Sequence, residues 1–102
     1  MGPPVNAARG EGLLLIDGVA RKLCLTLGAL AELEAAFDCA TLDELGARLG
    51  QLSPQDLLIV LAALTAGGGN GLTPAQLASA RIEPRAAAHA VAAAFKAALD
   101  EP

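Results

Sequence analysis

Hydrophobic and polar positions alternate with two different periods along the first third of the chain. In "GLLLIDGVARKLCLTL", residues 12–27, two β-compatible runs flank Asp17-Gly18, a dipeptide suited to the positive φ angles of a tight turn. In the second run Leu23, Leu25 and Leu27 share one face, while Lys22, Cys24 and Thr26 share the other. One face is greasier, so the hairpin is expected to lie on helices. From Leu27 the spacing changes to three and four: Leu27, Leu30, Leu33 and Phe37 predict a helix over 27–38. No loop separates strand from helix. Thr26 is placed to cap the helix, and Gly28, lacking Cβ, is expected to permit a sharp bend or a close hairpin contact. On that expectation Gly28→Val costs the fold more than any change in the N-terminal tail.

Hydroxyl residues mark the remaining helices. The chain has only six Ser and Thr, and four stand where a helix is expected to start, so their placement is informative. Thr41 opens "TLDEL" with Glu44 three residues on, the pattern of a capping box. Ser53 opens "SPQDLL" and Thr73 opens "TPAQL", each with Pro at the first helical position. Helices are therefore predicted at about 41–49, 54–66, 74–80 and 84–99. Gly50 and "GGGNG" at 67–71 supply stops. The glycine run follows a helix and has no Lys-Ser/Thr after it, so it is taken as a flexible connector and not a phosphate cradle. The expected class is α+β and mostly helical: a single domain over 11–100, with an N-terminal hairpin packed on about five helices and a disordered tail at 1–10.

Composition supports the helical bias. Ala (24) and Leu (19) fill 43 of 102 positions, and Phe37 and Phe95 are the only aromatics. Such a core closes by near approach of helices because it has no wide rings to fill gaps. The net charge is −4, and the seven Lys and Arg are scattered, with only Arg21 and Lys22 adjacent. A clustered basic surface for nucleic acid or anionic membrane is missing, and neither is expected as a partner. The longest apolar run, Leu57–Ala66, is about half of a membrane span. "MGPPVNAARGEG" has no apolar core for a signal peptide, and Asn6 stands where a myristoylation motif wants Ser or Thr. A soluble, cytoplasmic chain with reduced Cys24 and Cys39 is expected.

Candidate chemistry is sparse. The lone histidine, His89, has Arg85 one turn before it and Ala93 one turn after, with no acid partner in sequence. Glu32 and Glu34 point about 200° apart on a helix, so they cannot converge on one bond. Asp43 and Glu44 are accounted for by the helix start. Two cysteines and one histidine at unrelated spacings do not make a zinc site. No enzymatic activity, metal or cofactor is expected. The third helix carries no charge from Leu57 to Ala66 and should be central. In the last helix Val91, Phe95 and Leu99 form the expected core stripe. Ala86, Ala90, Ala93 and Ala97 form a small-residue strip, open to two readings: a solvent-facing surface, or a flat surface for an oligomer or partner helix. Glu34 flanks the first helix's apolar stripe and is a candidate for a polar partner contact.

"RKLCLTLGALAELEAAFDCATLDELGARL", followed by "LSPQDLLIVLAAL", resembles a family of small proteins from gene transfer agents and related tailed phages of bacteria. That family is classed with phage tail assembly chaperones and is also labelled a tail tube protein. The likeness covers about residues 10–99, and "LTLGALAELE" is its most specific part. Cys24 and Cys39 have no counterpart in any role the family suggests. The resemblance implies a non-enzymatic tail morphogenesis protein, with the tail tape-measure protein or tube protein as partner. It acts in the bacterial cytoplasm as a chaperone, or stays with the virion if it is a structural part of the tube.

Overall fold

The computed structural model describes residues 11–99; the tail expected at 1–10 lies outside them. The order is β1 (Glu11–Ile16), β2 (Val19–Cys24), α1 (Leu27–Phe37), α2 (Leu42–Leu49), α3 (Pro54–Gly67), α4 (Pro74–Ala78) and α5 (Pro84–Leu99). The hairpin and five helices of the expected α+β class are thus present in one domain.

β1 and β2 pair antiparallel, with Ile16 opposite Val19, Leu14 opposite Arg21 and Gly12 opposite Leu23. Asp17 (φ 56°) and Gly18 (φ 80°) are both in positive φ, as a two-residue type I′ turn requires. The turn is also held from outside. The Asp17 N–H donates to Arg81 O at 3.0 Å, and the Arg81 N–H donates to Asp17 Oδ1 at 2.7 Å, tying the hairpin tip to the segment before α5. Residues flanking a two-residue turn exchange both backbone bonds, and the pairs then alternate. Leu13 and Leu15 therefore point their N–H and C=O groups out from β1's edge, and Lys22 and Cys24 point theirs out from β2's.

The hairpin's inner face buries Gly12, Leu14, Ile16 and Leu23 on the helices, α3 lying against β2 and α5 against β1. α3 supplies Val60, Leu61, Ala63 and Leu64 to the core, and Leu33, Leu45, Leu77, Val91 and Phe95 close around them. Burial of α3 beyond its first turn follows from the absence of charge from Leu57 to Ala66.

Three expectations need correction. Leu27 is 82% exposed and does not extend the buried face of the strand. Each three-residue step turns a helix by about 300°, so going from Leu27 through Leu30 to Leu33 rotates the stripe by about 120°. The buried line is instead Ala29 and Leu33, with Phe37 half-buried beside them. Second, Gly28 is exposed and has no positive φ, and an added Cβ would meet only Thr26 Oγ1, at 3.8 Å. Neither a sharp bend nor a close contact requires glycine there.

The third correction concerns the glycine run, which is a packed turn and not a loose connector. A Cβ on Gly67 would overlap the Cys24 carbonyl, and one on Gly68 the Lys22 carbonyl. The hydrogens standing in those positions face the two carbonyls, so the end of α3 closes this edge of β2 by C–H···O contact. Gly69 adopts φ 98°, which L side chains avoid. Thr65, fully buried, donates from Oγ1 to Ala62 O at 3.0 Å and accepts from the Leu72 N–H at 3.1 Å, fixing the far side of the turn.

Candidate functional site: an apolar groove between α2–α3 and α5

Four hydroxyls position the helices around the site. Thr26, Thr41, Ser53 and Thr73 accept from the N–H of Ala29, Glu44, Asp56 and Gln76 at 3.0–3.1 Å. Ser53 and Thr73 form reciprocal capping boxes with Asp56 and Gln76. At Thr41 the returning bond shifts by one residue: Glu44 Oε1 accepts from the Ala40 N–H at 2.7 Å. α5 has no Ser or Thr at its start. Glu83 takes that role, its Oε1 accepting from the Ala86 N–H at 2.6 Å.

The junction between α2 and α3 is stiffened by Arg48. Its guanidinium stacks 5.0 Å from the centroid of Phe37 and contacts Asp56 Oδ2 at 3.0 Å. The Ser53 N–H, donating to Asp56, holds that carboxyl below its ordinary value, with the Arg48 charge helping. The Asp56 charge thus favours the folded chain above the ordinary carboxylate range, and its contribution is lost as pH falls through the lowered pKa.

Alongside this junction runs an open groove of about 830 Å³. Leu49, Leu52 and Leu57 form one wall, and Ala92, Val91 and Phe95 of α5 form the other wall and floor. Val91 and Phe95 are buried, while Ala88 and Ala92 are exposed along the rim. Gly46 and Gly50 keep the α2 side low, and Lys96 stands among the lining residues. The groove is therefore a slot between helices, lined mostly by apolar residues and fitted to take aliphatic side chains. Among the described residues no three His, Cys, Asp or Glu side chains gather as metal ligands would, and no helix is long and apolar enough to cross a membrane.

The chain belongs to a known family. A model described as "Phage tail tube protein, GTA-gp10" matches residues 9–101. No match was found among curated proteins or among solved structures. Membership in this family makes the chain a phage-tail protein of the gene-transfer-agent type and ties it to tail morphogenesis.

The residues singled out for partner contact are dispersed in this tail protein. Ala86 and Ala93 are exposed and Ala97 is half-buried, but Ala90 is buried, and its carbonyl lies 3.3 Å from where a Cβ on Gly12 would stand. The small-residue strip is therefore broken at its second member, which serves the contact of α5 with β1. Glu34 is half-buried on α1, outside the groove lining. Cys24 and Cys39 are not joined by a disulfide, and Cys39 Sγ lies 3.6 Å from Phe37 O. Of the expected α5 core stripe, Val91 and Phe95 are buried, and Ala87 and Ala94 join them; the Leu99 side chain lies outside the described residues. The groove itself was missed in the sequence. Its only local signal is the apolar pair Val91 and Phe95 facing Leu49 and Leu57, and these belong to elements far apart in the chain.

Proposed function

We propose that this tail protein is an assembly chaperone whose groove holds an apolar helical segment of the tape-measure or tube protein until polymerisation. The observation that carries the reading is the groove: a slot left open among the described residues between α2–α3 and α5, walled by leucines and floored by Val91 and Phe95. An amphipathic helix presents apolar side chains at three- and four-residue spacing, the periodicity that such a slot accepts. The chain would act in the host cytoplasm without enzymatic chemistry and without cofactor.

Co-expression with the tape-measure and tube proteins, followed by size exclusion, tests the reading. Co-elution with one of them is expected. Ala92→Glu, at an exposed rim position, should abolish it while leaving the circular dichroism spectrum unchanged. Absence of co-elution with either partner would overturn the proposal. The second reading, a structural part of the tube, is favoured by the description its family carries. Purified particles separate the two: a stoichiometric copy number favours the tube component, and absence from the finished particle favours the chaperone.

A further inference from the structure

The two edges of the hairpin differ. Lys22 and Cys24 on β2 face the α-hydrogens of Gly68 and Gly67, so that edge is closed at those two residues. On β1, Leu13 and Leu15 turn their N–H and C=O groups outward, and among the described residues nothing bonds to them. Their side chains are also uncovered, Leu13 at 41% and Leu15 at 62% exposure on the hairpin's outer face. Natural edge strands are usually blunted by charge, proline or a bulge. β1 carries a charge only at its first residue, Glu11; the run Gly12–Ile16 is uncharged, free of proline and paired in regular register.

We infer that β1 pairs antiparallel with β1 of a second copy, across a two-fold axis at Leu14, giving a four-stranded sheet in the order β2-β1-β1-β2. The register makes the edge complementary to itself. With the axis at Leu14, Leu13 of each copy stands opposite Leu15 of the other, in the positions that exchange both backbone bonds. Every outward N–H and C=O of Leu13 and Leu15 is then satisfied. The four exposed leucine side chains come together as cross-strand pairs on one face. Moving the axis to Leu13 would instead set Leu15 opposite Glu11.

α5 presents small residues on its flank away from the groove. It packs beneath β1, and its groove-lining residues Ala88, Ala92 and Phe95 look toward α2 and α3. Ala86, Ala93 and Ala97 lie on the flank of α5 opposite those groove-lining residues. The dimer leaves the groove open, so it does not depend on the chaperone reading.

Light scattering of the full chain during size exclusion, over a range of concentrations, tests the inference. A species of twice the 10.2 kDa chain mass is expected, dissociating on dilution. Leu15→Lys, at an exposed site, should weaken the association by about tenfold or more with unchanged circular dichroism. Amide exchange supplies the readout specific to the strand pair: the Leu13 and Leu15 N–H groups should gain protection as concentration rises. A chain monomeric at the highest concentration reached would overturn the inference. So would a dimer that Leu15→Lys leaves intact, or one in which the Leu13 and Leu15 amides exchange freely. Failure here leaves the groove proposal standing, because co-elution with a tail partner is read separately.

Discussion

Two short junctions, each containing glycine, carry opposite demands in this fold. At Leu25–Ala29 a strand passes into a helix with only Leu25 and Thr26 between them, and the glycine at that joint looks necessary in sequence. At Gly67–Leu72 a helix ends in a run of glycines that looks like slack. The structure reverses both impressions. Gly28 is exposed and an added Cβ finds ordinary contact, while Gly67 and Gly68 abut the carbonyls of Cys24 and Lys22. What decides whether glycine is required is the atom standing in the Cβ direction, or a positive φ, and not how abruptly the chain changes element. The joint at Thr26 works because a hydroxyl supplies the cap. The turn at Gly67 works because the missing side chains let a helix end seat on a strand edge.

The comparison breaks most readily at Gly68. Gly68→Ala places a methyl group on the Lys22 carbonyl, so the end of α3 must back away from β2. A loss of about 3 kcal/mol or more is expected, read as a lower midpoint in urea unfolding. An unchanged midpoint would show that the turn is slack after all. The next effect is at Thr65, the hydroxyl that holds the other side of the same turn. Thr65→Val keeps the shape but leaves the Leu72 N–H without its acceptor, and a cost of about 1–3 kcal/mol is expected in the same measurement.

Which parts of this were legible beforehand follows the range of the interaction. Helix starts were legible because a cap is made within three residues: Thr26, Thr41, Ser53 and Thr73 each announce one, and each accepts the bond that its spacing implies. The hairpin turn was legible for the same reason, since Asp17-Gly18 carries its conformation locally. Its tether to Arg81 was not, because that contact spans 64 residues. The groove shares this difficulty: Leu49, Leu52 and Leu57 meet Val91 and Phe95 only after α5 returns beside α3. Ala90 shows the limit within one helix. Composition makes it look like its neighbours Ala86 and Ala93, but α5 rests on Gly12 at that residue alone among the four of the strip, and β1 buries it.

The remaining tests belong to the joint, where effects should be smaller and change sign. Thr26→Ala removes the acceptor of the Ala29 N–H and should cost about 1 kcal/mol in urea unfolding, since water can replace part of an exposed cap. Gly28→Ala should go the other way. The position is helical and exposed, its φ is negative, and the nearest side-chain atom to an added Cβ is 3.8 Å away. Alanine then restricts the unfolded chain without straining the folded one, and a gain of roughly 0.5 kcal/mol is expected. Gly28→Val should be close to neutral for the same reason. A loss comparable to that of Gly68→Ala, at either substitution, would mean that the joint hides a close approach and that the two glycine sites are alike.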